Sequence, residues 1–243
     1  MRFTTKALAI AACAVTIGGI AAAGTADAAT PSCGGSCIDV FSRDFGTHAS
    51  PMFLMDVYKR GQAAGTPVIL FGQSNADPAE DFTVAAQGTV ADFYAAGLVS
   101  SSFALRYGCT LPAFPTCAGQ SDLEAFEVEY APYGADTGLC AGVAATAFSG
   151  EKVSLQPCGV SGKTVWAVDT EDPTGFAKFY LPAINGSDTN FSHPFVLTYP
   201  AGSFPADKPR PQLYVDNLTG FLTGAPETIE SNQLWGADFG KAF

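Results

Sequence analysis

Three short triplets constrain this chain more than any other feature: Glu80-Asp81-Phe82, Thr164-Val165-Trp166 and Gln233-Leu234-Trp235. Each reads polar, any residue, aromatic, and each follows two β-rich runs. The only two tryptophans of the 243-residue chain both stand at the aromatic position. A unit used three times, each copy too small to bury its own apolar face, predicts repeats that pack against one another. The expectation is an all-β fold with pseudo-threefold repeats and inserted surface loops.

The runs between the triplets support that reading. The first unit carries runs at 53–58 and 67–71, the second at 138–143 and 153–156, the third at 194–198 and 212–215. Turn-forming segments such as Gly65-Thr66 and Ser74-Asn75-Ala76-Asp77-Pro78 punctuate them. Each unit reads as strand, turn, strand, longer loop, and a strand begun by the triplet. No helix-period stretch is evident after residue 28. The aromatic anchors Phe82, Trp166 and Trp235 are unevenly spaced, which places an insertion at about 97–122. Residues 169–190, rich in Gly, Pro, Asp and Asn, read as a long surface connection.

Arg2 and Lys6 precede an apolar, alanine-rich stretch and then Ala26-Asp27-Ala28. That order is a secretory signal peptide of bacterial type, spanning 1–28, which leaves 29–243 as a single domain. The expected location is extracellular, with no membrane association after cleavage. Of seven cysteines, Cys13 falls in the leader. The rest form near pairs: Cys33 with Cys37, Cys109 with Cys117, Cys140 with Cys158. An oxidising compartment and sequence proximity favour those disulfides among the alternative connectivities. A net charge of −11 lacks the cationic surface that nucleic acid requires.

The units resemble the repeats of the ricin-type lectin family, β-trefoils whose repeats end in Gln-x-Trp. Leu139-Cys140-Ala141-Gly142-Val143, with Val153-Ser154-Leu155-Gln156-Pro157-Cys158 and Trp166, matches the family's spacing and its intra-repeat cysteine pair. Ser231-Asn232-Gln233-Leu234-Trp235 is the best single match, and Val68-Ile69-Leu70-Phe71 with Glu80-Asp81-Phe82 is a weaker one. The resemblance implies a β-trefoil with Phe82, Trp166 and Trp235 as structural core. It also implies carbohydrate binding by an aspartate on the first hairpin strand, an aromatic on the second and an asparagine before the glutamine. The candidates for those roles are Asp56, Phe71, Tyr214, Asn232 and Gln233. The set is incomplete in every repeat: Ala79 replaces the asparagine in the first, and the second carries Gly142, Gln156 and Lys163. Expected partners are therefore a glycan or polysaccharide, or alternatively a protein bound by the loops as an interaction or inhibitor module.

No catalytic motif, metal-ligand spacing or cofactor fingerprint is present; His48 and His193 stand alone in loop-like sequence. Glu127 and Glu129 alternate along one strand and so share a face. At this net charge they read as a solvated acidic face on an edge strand.

Overall fold

The computed structural model describes residues 33, 37–42, 53–74, 77–108, 123–168, 181–200, 211–219 and 229–239. Residues 1–28, Cys109 and Cys117, and the insertion beyond Gly108 lie outside these residues. Twelve strands among them fall into three sets of four. The first set is β1 (Ile38–Ser42), β2 (Phe53–Val57), β3 (Val68–Gly72) and β4 (Phe82–Thr89). The second is β5 (Glu124–Tyr130), β6 (Leu139–Val143), β7 (Val153–Pro157) and β8 (Val165–Val168). The third is β9 (Ile184–Asn185), β10 (Phe195–Thr198), β11 (Tyr214–Asn217) and β12 (Trp235–Phe239).

Antiparallel pairing closes the first and last strands of the sets into a ring. β4 pairs β5, β8 pairs β9 and β12 pairs β1 across the set boundaries, while β1–β4 and β5–β8 pair within sets. The remaining seam is sealed by Leu181 and Trp235, which exchange both backbone hydrogen bonds at 2.8 and 3.0 Å. Hairpins β2–β3, β6–β7 and β10–β11 leave this six-stranded barrel, and their edges meet one another. Bridges Pro67–Ser154, Ile69–Gln212 and Lys152–Tyr214 join each hairpin to the next, making a three-sided cap. A barrel capped by three hairpins in threefold repetition is the β-trefoil. Barrel closure leaves no open edge at the seam, which is why so short a strand as β9 holds its place.

Side-chain alternation divides the core into an inner and an outer layer. Val40, Phe82, Val128, Tyr130, Trp166, Val168 and Trp235 belong to the inner cluster. Ala125, Val165, Ala167 and Ile184 point outward, into a second cluster with two helices. Those helices, α1 (Val90–Ala95) and α2 (Ser101–Tyr107), are a departure from the expectation of no helix. They are short and packed, so their apolar spacing is too brief to read as a period. Their caps are legible in retrospect: Thr89 and Asp92 form a capping box, and Ser100 caps α2. Both helices lie between β4 and β5, α2 within the expected insertion and α1 just before it.

Two further expectations are corrected. Residues 181–190 are not simply a surface connection, because Ile184 and Asn185 are fully buried in the barrel strand β9. Glu127 and Glu129 do not lie on an edge: β5 is flanked by β4 and β8, and both carboxylates are buried. Each set also holds a strand before its two hairpin runs, which the repeat pattern in the sequence did not include.

Disulfides join Cys33 to Cys37 and Cys140 to Cys158. The second ties β6 to the residue just beyond β7, across a Cα separation of 5.1 Å.

Candidate functional site

The three triplets occupy equivalent places. Each is entered by a single 3-10 turn, Pro78–Glu80, Gly162–Thr164 or Ser231–Gln233, whose last residue is the polar member of the triplet. Trp166 Nε1 donates to Ala141 O and Trp235 Nε1 donates to Leu197 O, both at 2.9 Å. Ala141 and Leu197 are matching positions of β6 and β10, facing Leu155 and Val215 across their hairpins. Phe82, fully buried, holds the third place without an N–H to donate.

The polar member secures the backbone N–H two residues past the hairpin's second strand. Glu80 accepts from Ser74 N at 2.8 and 3.0 Å, and Gln233 accepts from Thr219 N at 2.9 Å. Thr164 is too short to do so. In its repeat Glu127 reaches over from β5, accepts from Gly159 N at 2.9 Å and accepts from the Thr164 hydroxyl as well. Glu127→Ala is expected to destabilise by about 1–2 kcal/mol, because it removes the buried carboxylate that holds the Gly159 N–H and the Thr164 hydroxyl together. Glu127→Gln should recover most of that in urea denaturation. An equal loss in both variants would assign the effect to charge instead.

The hairpin register decides which candidate residues meet. Antiparallel partners share a face. Asp56 faces Ile69 and Leu54 faces Phe71, so Asp56 and Phe71 stand on one face of β2–β3, opposite the core residues Met55 and Leu70. Asp56 is 4% exposed, Phe71 is half-buried, and β2 packs against the Pro78–Glu80 turn. Among the described residues none donates a hydrogen bond to Asp56. Burial, reinforced by the Asp77 charge and opposed by Arg60, pushes its carboxyl up to about 7. Arg60 is held by Asp77 at 2.9 Å. Lys59 and Arg60, with φ of 55° and 56°, and Tyr133, with φ of 58°, place left-handed backbone around this corner. The Asp81 carboxylate fixes the Tyr133 turn by accepting its N–H at 2.8 Å.

The other candidates are arranged differently. Pairing of Leu197 with Val215 makes Asp216, not Tyr214, the counterpart of Phe71. Tyr214 instead faces Thr198, as Ile69 faces Asp56, and Lys152 Nζ sits 4.9 Å from its ring centroid. Residues two apart share a face, so alternation alone could not separate 214 from 216. Gln233 spends all four of its amide bonding positions internally, on Asn217 O, Thr198 Oγ1, Thr219 N and Thr219 Oγ1. Asn232 donates to Tyr199 O at 3.0 Å, which pins the turn. In the second repeat a Cβ on Gly142 would lie 2.6 Å from Lys163 O, so the turn fills the space that Asp56 occupies in the first. Among the described residues, only the first repeat combines an acceptor without a hydrogen-bond partner and an aromatic on one hairpin face.

No protein-family model matches the chain, and no curated protein matches it at a significant level. Solved structures do resemble it. The designed threefold-symmetric protein ThreeFoil aligns with a TM-score of 0.48 at 10% identity, over 83% of this chain and 97% of its own. A mosquitocidal holotoxin aligns with a TM-score of 0.47 at 9% identity, over 84% of this chain but 17% of the toxin chain. The SDF2-like protein from Arabidopsis thaliana aligns at 0.39 and 8% identity, over 84% and 92%. The trefoil assignment stands on the strand pairing.

Proposed function

We propose that this protein is a secreted, ricin-like carbohydrate-binding trefoil whose working site is the first repeat. The observation that carries this reading is the Asp56 carboxyl, buried without a donor on the hairpin face that also bears Phe71. Sugar recognition needs that pairing: a fixed acceptor for hydroxyls and a flat ring for the C–H face. Arg60 and Asp77, the charges acting on Asp56, supply polar groups at the rim. Gln233 spends its amide within its own repeat, and Asn232 holds its turn through Tyr199 O. Export after removal of 1–28 belongs to the same proposal.

A glycan array covering microbial wall and plant polysaccharides, followed by calorimetry on any hit, tests it. Asp56→Asn and Phe71→Ala should each weaken binding at least tenfold, while Tyr214→Phe leaves it unchanged. Binding untouched by both first-repeat changes would sink the proposal. A second reading, a protein-binding module, is favoured by Tyr94 and Leu105, large apolar side chains 37% and 49% exposed on α1 and α2. Silence on the array, with a partner whose capture is lost on Leu105→Asp, would favour it.

A further inference from the structure

The described residues do not fill the barrel interior. A cavity of about 400 Å³ lies inside it, walled by Phe126, Trp166, Val168 and Trp235. Its origin follows from the triplets. Both indoles are tethered by their N–H groups to hairpin carbonyls, which holds the large rings at the cap end. β4 and β8 run away from the cap and β5 returns to it, so the far end of the lumen is walled by smaller side chains such as Val168 and Ala183.

The mouth of that cavity is polar, and an irregularity in β4 makes it so. Thr83 and Val84 face Glu129 and Val128, but the next pair is Ala86 with Glu127, leaving Ala85 as an extra residue. This bulge reverses the alternation beyond it. Ala86 turns outward to the helices, and Gln87 pairs with Phe126 on the inner face. Glu124, two residues from Phe126 on the same face, completes the rim. Without the bulge an alanine would face the lumen and Gln87 would face away.

We infer that the polar end of this cavity binds a slender aliphatic molecule carrying a hydrogen-bond-donating head, an alcohol or an amine. The apolar walls take the chain, the Glu124 carboxylate accepts from the head, and the Gln87 amide donates or accepts beside it. A carboxylate head is disfavoured, because it would meet Glu124 on a chain of net charge −11. The site is separate from the first-repeat hairpin face, so Asp56→Asn leaves it intact.

The test uses n-decanol, n-decylamine and n-decanoate below their aggregation limits. The only two tryptophans of the chain line the cavity, so intrinsic fluorescence reports occupancy directly. The expected result is a saturable fluorescence change and a raised Tm with decanol and decylamine, and at least tenfold weaker binding of decanoate. Glu124→Lys, a change at a half-buried rim position, should reverse that order. Ala183→Phe should fill the lumen and abolish binding of all three; should that variant fail to fold, the charge reversal decides alone. No saturable response to any probe, an unchanged order in Glu124→Lys, or full binding by folded Ala183→Phe would each overturn the inference.

Discussion

Replacing Trp235 by alanine is expected to lower stability by about 3–5 kcal/mol, the range for removing a large buried aromatic. The indole is 5% exposed, meets the Tyr199 ring edge-on at a centroid separation of 5.9 Å, and donates to Leu197 O. Its backbone also forms the seam with Leu181 that closes the barrel. Truncation therefore removes a wedge between barrel and hairpin and leaves the Leu197 carbonyl without its indole donor. Trp235→Phe should cost much less, about 1–2 kcal/mol, because Phe82 already occupies the matching place as a phenyl ring. Urea denaturation of the two variants is the check. Losses of similar size would mean that the N–H bond, and not the packed ring, carries the position.

The second large effect concerns Asp56 and pH. Its carboxyl is pushed from 3.8 up to about 7 by burial first and by Asp77 next. Below pH 4 the group is protonated in both folded and unfolded chains and makes no difference. Between 4 and 7 the unfolded chain releases the proton while the folded one keeps it, so stability falls as pH rises. Above 7 the penalty levels off, at most about 4 kcal/mol for a shift of this size. Asp56→Asn removes the titration. Its stability relative to the unaltered protein should be near zero at pH 4 and clearly positive at pH 7.5. Burial also raises Glu129 and Asp188, but they are present in both proteins and cancel in the difference. A flat difference across that range would show Asp56 to be solvated. A variant that is more stable at neutral pH yet loses glycan binding would separate the residue's role in binding from any role in folding.

Much of the fold was legible. The triplets marked three repeats, and the β-rich runs before them are the hairpin strands of the cap. What escaped notice is what local pattern cannot encode. β9 is two residues long and held by its neighbours, so no alternation announces it. α1 and α2 are too short for a helical period and exist because their apolar faces cover the outside of the barrel. Glu127 looked like a surface acid because nothing nearby in sequence calls for it; its partners Gly159 and Thr164 come from the far side of a hairpin.

The candidate site divides in the same way. Asp56 and Phe71 could be chosen by residue type, and the register puts them on one face. Tyr214 could not be placed, since its hairpin register hangs on the pairing of Leu197 with Val215. The sequence by itself determined the threefold all-β plan, because that plan follows from the period of large aromatics and short β runs. Tertiary structure alone decided which polar groups are spent on the fold, because hydrogen-bond satisfaction depends on groups far apart in the chain. It also opened the lumen, where two tethered indoles and one extra residue in β4 leave a space that no local sequence pattern describes.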